Sequence, residues 1–148
     1  MPNSQVCVDA NIIVKIVSPE ELRPQAIMLW QHWLNEEREA VAPRLLAYEV
    51  TSVLRRKAAR GLLTLEEARD ALEAALALPI TLIDLPNLSQ QAFELATRFN
   101  RPTAYDSHYL ALAEHFDCHF WTADERLCNA TKDQFPRIRW LGDYRPEV

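Results

Sequence analysis

Four acidic residues of this sequence lie at positions where apolar side chains would be expected. Asp9 and Asp124 each follow a short apolar run with the composition of a buried strand, and Glu49 and Asp106 lie among apolar positions of helical periodicity. An unpaired buried carboxylate is costly, so Glu49, which points at the core side, must be protonated, paired with a base or bound to a metal. Carboxylate oxygens suit Mg²⁺ or Mn²⁺, and no cluster of histidine and cysteine in the sequence favours zinc.

Each acid also has a structural explanation when it is taken alone. Asp9 and Asp124 could be ordinary helix N-caps, and Asp106 could close a capping box that begins at Thr103. Glu49 could form an ion pair with a nearby arginine such as Arg44. Taken together, two acids at strand ends and two on inward helix faces would converge at one edge of one sheet, where four carboxylates need a cation.

The elements that position these acids follow from the hydrophobic periodicity, because short apolar runs alternate with longer helical patterns. Strands are predicted at 5–9, 40–42, 80–85, 118–122 and 138–141. Helices are predicted at 12–17, 22–37, from Pro43 to near Gly61, from Thr64 to Pro79, and at 89–100, 106–116 and 124–132. Thr64 and Glu67 have the spacing of a capping box at the start of the fourth helix.

Five short strands separated by helices predict a three-layer α/β/α domain with a central, mainly parallel, five-stranded sheet. A length of 148 residues is near the commonest domain size, so we expect one domain that spans 1–148. Ligands of such sheets bind outside the carboxyl ends of the strands, which is where Asp9 lies. The two glycines, Gly61 and Gly142, are too few for a glycine-rich phosphate loop, which argues against nucleotide cofactors.

Composition limits the class of protein. No apolar run approaches the ~18 residues of a membrane span, and the start of the chain lacks the features of a secretory signal, so we expect a cytoplasmic protein without membrane association. Cys7, Cys118 and Cys128 are expected to be buried, reduced thiols. The net charge of −5 argues mildly against nucleic acid, unless the acids are neutralised locally at a metal site.

Four segments surround the acids: VDANII at Asp9, LLAYEVTSVLRR at Glu49, TAYDSHYLALAE at Asp106 and WTADERL at Asp124. Together they resemble the PIN domain, and within it the VapC toxins of bacterial toxin–antitoxin pairs. The resemblance covers nearly the whole chain, and four acids in this order and context are a specific signal. It implies a Mg²⁺- or Mn²⁺-dependent endoribonuclease in which all four acids bind metal and act in catalysis.

The resemblance also implies the roles of single residues. The first three acids would hold the catalytic metal, and the fourth would hold a second metal or position the water. Asn11 and Thr122 would support the acids through hydrogen bonds. The implied chemistry is attack by hydroxide, which leaves a 5′-phosphate and a 3′-hydroxyl. The implied partners are RNA, a second copy of the chain in a homodimer, and a cognate antitoxin.

Basic residues near the acids are candidates for RNA contact, although a charge run on a helix is also typical of a solvated face. They lie on the helix of Glu49 and beside Asp106 and Asp124: Arg55, Arg56, Lys57, Arg60, Arg101 and Arg126.

An apolar stretch of the second helix fits an antitoxin contact face or ordinary core packing equally well. It consists of Ile27, Met28, Trp30, Trp33 and Leu34. Two histidines are not expected to be metal ligands. His108 is expected at the surface and His119 within a strand.

Other functions compete with the nuclease. A receiver domain or a haloacid-type phosphatase would also place an acid after the first strand. Asp9-Ala10-Asn11 does not match the DxD motif of those phosphatases. The acid pair and the lysine after a late strand, which a receiver domain requires, are missing from the sequence. A PIN-fold module that binds RNA or protein without catalysis remains the alternative.

Overall fold

The protein is described from a computed structural model over residues 4–146. Each predicted strand and helix is present, with a 3₁₀ turn added at Leu141–Asp143. The strands are β1 (Gln5–Val8), β2 (Glu39–Pro43), β3 (Ile80–Ile83), β4 (Phe120–Thr122) and β5 (Ile138–Trp140). The helices are α1 (Ala10–Val17), α2 (Arg23–Asn35), α3 (Leu45–Ala59), α4 (Leu65–Ala77), α5 (Leu88–Arg98), α6 (Tyr105–Phe116) and α7 (Glu125–Thr131). No helix in this range combines the length and the apolar character that crossing a membrane requires.

Several predicted boundaries are wrong by one or two residues. Helix α1 begins at Ala10 instead of residue 12, because Asp9 already acts as its N-cap in an extended backbone conformation. Strand β4 begins at Phe120, so His119 lies just before the strand and not within it. His119 still takes part in the pairing, because its carbonyl accepts a 2.9 Å hydrogen bond from the backbone N–H of Cys7.

The five strands form one parallel sheet in the order β3-β2-β1-β4-β5. The chain moves outward from β1 through β2 to β3, then crosses back to β4 and β5. Because such crossovers are right-handed, α1 to α4 cover one face of the sheet and α5 to α7 the other. The predicted three-layer α/β/α architecture is confirmed. The switch in direction falls between β1 and β4, where open sheets form a crevice at the carboxyl ends of their strands.

The core lies on both sides of the sheet and anchors the elements that carry the acids. The Tyr109 ring of α6 stacks on Phe120 of β4 with centroids 5.4 Å apart. The three cysteines are free and buried, as predicted. Trp30 and Trp33 of α2 are also buried, at 7% and 4% exposure, so core packing explains the tryptophans of the apolar stretch. Met28 and Leu34 are the members of that stretch that remain exposed.

Candidate active site

A cleft of about 160 Å³ opens beside the carboxyl end of β1. Three of the four predicted acids line it, from three different elements: Asp9 after β1, Glu49 on α3 and Asp106 on α6. The cleft lies at the crevice that the sheet topology predicts for a ligand. Its full lining consists of Asp9, Ala10, Asn11, Val14, Glu20, Glu49, Val53 and Asp106.

Asp9 is the most deeply buried of the acids, with 4% exposure. Its Oδ1 accepts a long 3.5 Å hydrogen bond from the Asn11 backbone N–H, and its Oδ2 accepts a 2.9 Å bond from the Thr122 hydroxyl. Neither partner carries a charge, and no lysine, arginine or histidine within residues 4–146 forms an ion pair with Asp9. Asp9 therefore does cap α1, but no positively charged partner compensates the charge of its carboxylate.

The Thr122 hydroxyl is held in one orientation. It accepts hydrogen bonds from Asn11 Nδ2 at 3.2 Å and from the Asp124 backbone N–H at 3.0 Å. With both lone pairs used, its single proton is directed to Asp9. Asn11 is fixed in turn, because its Oδ1 accepts a 3.0 Å bond from the Ala123 backbone N–H. This network joins the ends of β1 and β4 and sets the position of the Asp9 carboxylate.

Glu49 is half-buried and accepts a 2.6 Å hydrogen bond from the hydroxyl of Tyr109. The ion pair with Arg44 that the sequence allowed does not form, because Arg44 lies 3.6 Å from Asp84 instead. Helical periodicity places Tyr109 on the apolar side of its helix but does not identify this hydrogen bond. The signal that could have identified it is general: a buried tyrosine hydroxyl needs a hydrogen-bond partner.

Asp106 does not cap its helix. Helix α6 begins at Tyr105, its N-cap is Ala104, and no side chain caps it, so the Thr103 to Asp106 capping box is absent. The carboxylate faces the cleft instead, with the Arg101 guanidinium 3.9 Å away. This ion pair is weak at such a distance and exposure.

Asp124 lies outside the cleft lining and is the N-cap of α7, where its Oδ1 accepts a 3.1 Å hydrogen bond from the Leu127 N–H. Its negative charge nevertheless raises the pKa of Asp106, so it is near that acid. The structure thus brings three predicted acids into one cleft and the fourth to its edge.

The electrostatics of the cleft show a deficit of positive charge. The pKa of Asp9 is raised to about 8, first by burial and then by the charges of Asp106 and Glu49. Burial also raises the pKa of Glu49, against the lowering effect of the Tyr109 hydrogen bond. The pKa of Asp106 is raised by burial and by Asp124, with Arg101 acting in the opposite direction. Without a cation, the ionised form of each of these three carboxyls is less favourable than it would be in water.

The donor set of the cleft fits a hard divalent cation. Within residues 4–146, no three His, Cys, Asp or Glu side chains are arranged to hold a metal ion by themselves. Mg²⁺ does not require such a cage, because it keeps several water ligands and is commonly held by one or two carboxylates together with a substrate phosphate. Oxygen donors, mutual repulsion and the missing counter-charge all favour such an ion here.

The arginines that the sequence predicts as RNA contacts differ in exposure and in ion pairing. Arg55, Arg56 and Arg126 are exposed and form no ion pair within the described part of the chain, whereas Arg101 is half-buried beside Asp106. His108, expected at the surface, is half-buried. Its Nδ1 lies 2.7 Å from the Ala104 carbonyl, which can only accept, so this nitrogen carries the proton.

Comparisons with known proteins agree with this geometry. A family model of the PIN domain matches residues 6–133. Ribonuclease VapC9 of Mycobacterium tuberculosis is 35% identical over 94 residues, which are 64% of this chain and 72% of that protein. Ribonuclease VapC3 of Pyrobaculum aerophilum is 31% identical over 136 residues, which are 90% of this chain and 97% of that protein.

Solved structures share the fold at lower identity. A toxin–antitoxin complex from Klebsiella pneumoniae contains a chain that is 13% identical, with a TM-score of 0.64, and the match covers 95% of this chain and 99% of that one. The family model spans most of the sequence, and VapC3 matches over almost its whole length. The chain therefore belongs to the PIN-domain family.

Proposed function

We propose that this protein is a metal-dependent endoribonuclease that hydrolyses RNA phosphodiester bonds, and that it is the toxin of a VapBC-type toxin–antitoxin pair. The observation that carries the proposal is the Asp9 carboxylate, which is buried without a basic partner in a cleft that it shares with Glu49 and Asp106. Two relatives, each matched by this chain over two thirds or more of the relative's length, are named ribonucleases, which supports the same activity.

The residues that would hold Mg²⁺ or Mn²⁺ are Asp9, Glu49 and Asp106, with Asp124 assigned to a second ion or to the attacking water. When bound, the cation would lower the pKa of water and stabilise the negative charge that builds up on the phosphate. The number of direct carboxylate ligands stays a prediction. The raised pKa of Asp9 supports the assignment, because a carboxyl that is protonated for lack of positive charge becomes a ligand when a cation arrives.

The residues of the chain itself position the acids and the substrate. Thr122 and Asn11 orient the Asp9 carboxylate, and Tyr109 orients Glu49 through its short hydrogen bond. Such fixed orientation matters because catalytic groups lose efficiency when they are displaced by about 1 Å. We assign to the flanking arginines the binding of RNA phosphates: Arg55, Arg56, Arg101 and Arg126.

We infer that water is the nucleophile and that the products carry a 5′-phosphate and a 3′-hydroxyl. Among the described residues, no histidine lines the cleft to act as the general base that would activate a 2′-hydroxyl. Analysis of the product ends tests this inference directly. A 2′,3′-cyclic phosphate would show that the nucleophile was the 2′-hydroxyl of the RNA.

The partners in this proposal are an antitoxin and a second copy of the chain. A similar fold occurs in a complex of toxin and antitoxin, and the exposed Met28 and Leu34 of α2 offer an apolar contact surface. Tyr48, Phe93 and Tyr105 are large side chains with exposed apolar surface, and we assign to each of them singly, not to the three as one patch, a place in a homodimer contact. We also infer that residues 1–148 act as one domain in the cytoplasm, where the RNA substrate is found.

The alternative is a PIN-fold module that binds RNA or protein without catalysis. Incubating the protein with a structured RNA, in Mg²⁺ or in EDTA, separates the two functions. We expect cleavage by the wild type in Mg²⁺, and none in EDTA or in the Asp9→Asn variant. RNA that binds but stays intact at every Mg²⁺ and Mn²⁺ concentration would favour the binding module.

A further inference from the structure

Two lysines meet one glutamate at a wall of the cleft. Lys15 Nζ lies 3.2 Å from one oxygen of Glu20, and Lys57 Nζ forms a close ion pair with the other oxygen. Lys57 also donates a 3.0 Å hydrogen bond to the Oγ of Ser18, a residue with 1% exposure. The side chains of Lys15, Glu20 and Lys57 are 14%, 24% and 12% exposed. We call these three residues the lysine bridge.

One member of the lysine bridge belongs to the lining of the cleft that holds the acids. Glu20 itself lines the cleft together with Asp9. Lys57 lies on the same helical face as Glu49 and Val53, at spacings of four and eight residues, and is about 12 Å from Glu49 along the axis of α3. Lys15 is one turn after Asn11 on α1. The ammonium groups therefore lie beside a residue of the cleft lining, although neither lysine belongs to that lining itself.

The charges of the lysine bridge do not balance. Two ammonium groups share one carboxylate, and no other acidic group of the described chain forms an ion pair with either lysine. The protein has three lysines, and two of them contact the same glutamate. A purely structural ion pair would need a single ammonium group, because each buried charge adds a desolvation cost. The second lysine leaves a local surplus of positive charge that no direct ion pair within the described residues neutralises.

We propose that Lys15 and Lys57 bind an RNA phosphate that flanks the scissile bond, and that Glu20 is the counter-ion that holds both ammonium groups in place before RNA binds. The ligand is a phosphodiester of single-stranded RNA. This inference rests on the proposed ribonuclease function and deepens it. Lys15 and Lys57 are substrate-binding residues in this scheme, whereas Glu20 acts through them and is a positioning residue.

The test is steady-state hydrolysis of a short RNA across a series of salt concentrations. The Lys15→Met and Lys57→Met variants keep the length of the side chain and remove the charge. The slope of log(kcat/KM) against log[salt] should be smaller in magnitude by about 0.7 for each lost contact with single-stranded RNA. The loss of one such contact corresponds to a KM about five-fold higher at 0.1 M salt, with kcat unchanged. Lys132→Met, which alters the exposed lysine of α7's C-cap, is the matched control and should leave both quantities unchanged.

Glu20→Gln distinguishes phosphate binding from a structural bridge, because the two roles predict different effects on KM and on the salt slope. Removing the counter-charge from phosphate-binding lysines should lower KM and steepen the salt slope. A structural bridge predicts instead that all three variants lose thermal stability while KM and the salt slope stay at wild-type values. Hydrolysis by the wild type with unchanged KM in both lysine variants would overturn the lysine proposal alone.

A binding measurement tests the lysine proposal even if the protein does not hydrolyse RNA. With ¹⁵N-labelled lysine, the Asp9→Asn protein gives three Nζ signals, which single Lys→Met variants assign. Adding RNA in Mg²⁺ should shift the signals of Lys15 and Lys57 and leave that of Lys132 in place. If the wild type cleaves no RNA, the proposed function fails by itself. If RNA binds without shifting either signal of the bridge, the lysine proposal fails as well.

Discussion

The folding stability of the metal-free protein should fall as the pH rises, because Asp9 holds a proton in the folded state that it has lost in the unfolded state. The pKa of Asp9 is raised from 3.8 to about 8, first by burial and then by the charges of Asp106 and Glu49. This contribution to stability is fully present below pH 3.8 and is lost as the pH rises through about 8. A difference of about four pH units at ~1.36 kcal/mol per unit corresponds to at most about 6 kcal/mol.

Urea unfolding in EDTA at pH 5 and pH 8 measures this effect, and linkage predicts a loss of about 4 kcal/mol between these two values. That loss is a large share of the ~5–15 kcal/mol that keeps a typical protein folded. Mg²⁺ at 100 times its dissociation constant should return about 2.7 kcal/mol at pH 8, because it binds the ionised carboxylates.

Two variants decide whether the loss belongs to Asp9. Asp9→Asn should remove most of the pH dependence, and a smaller part should remain because the pKa values of Glu49 and Asp106 are also raised. Asp70→Asn, an exposed position on α4, should behave like the wild type. The reasoning is refuted if the wild type is equally stable at pH 5 and pH 8 in EDTA, or if Asp9→Asn retains the full loss.

Three further substitutions test the contacts around the site and the fold. Thr122→Val leaves two donors, Asn11 Nδ2 and the Asp124 N–H, without their acceptor. We therefore expect the free energy of unfolding in urea to fall by about 2–4 kcal/mol and kcat/KM on RNA to fall about 10–100-fold. Thr122→Ser keeps the hydroxyl and should retain most of the stability and most of the activity. Tyr109→Phe removes the hydrogen bond to Glu49, which should lower the free energy of unfolding by about 1–3 kcal/mol. Because that bond lowers the pKa of Glu49, its loss should raise this pKa further and move the acid limb of the pH–rate profile to higher pH. An unmoved profile would contradict that role of Tyr109. Thr64→Ala breaks the capping box of α4 and should lower the free energy of unfolding by about 1 kcal/mol without changing RNA cleavage. A loss of activity at this distant cap would show that the fold and the site are coupled in a way that these contacts do not explain.

The elements of the fold could be predicted from the sequence because their signals are local. The capping box of Thr64 and Glu67 is present as its spacing predicted, with both of its hydrogen bonds formed. The start of α1 was misplaced because Asp9 ends a strand and caps a helix at once, so no gap separates the two patterns. The order of the strands depends on contacts between distant segments, and periodicity carries no information about those contacts.

The convergence of the acids was predictable for a physical reason as well. Asp9 follows a buried parallel strand, and the carboxyl ends of such strands meet at one edge of the sheet, so an acid in this position is near the others. The partners of the acids were not predictable. Helical periodicity puts Tyr109 on a buried face but does not show that its hydroxyl meets Glu49, and nothing local to Lys15 or Lys57 indicates that both contact Glu20.

Calorimetric titration of Mn²⁺ into the wild type and the Asp9→Asn variant at pH 7 tests most directly whether the acidic cleft binds a divalent cation. We predict that the wild type binds Mn²⁺ and releases protons, because the pKa of Asp9 is about 8 and the cation displaces its proton. The measured heat should then depend on the ionisation enthalpy of the buffer, and Asp9→Asn should bind much more weakly. Equal binding by both proteins, or no binding by the wild type, would contradict the account.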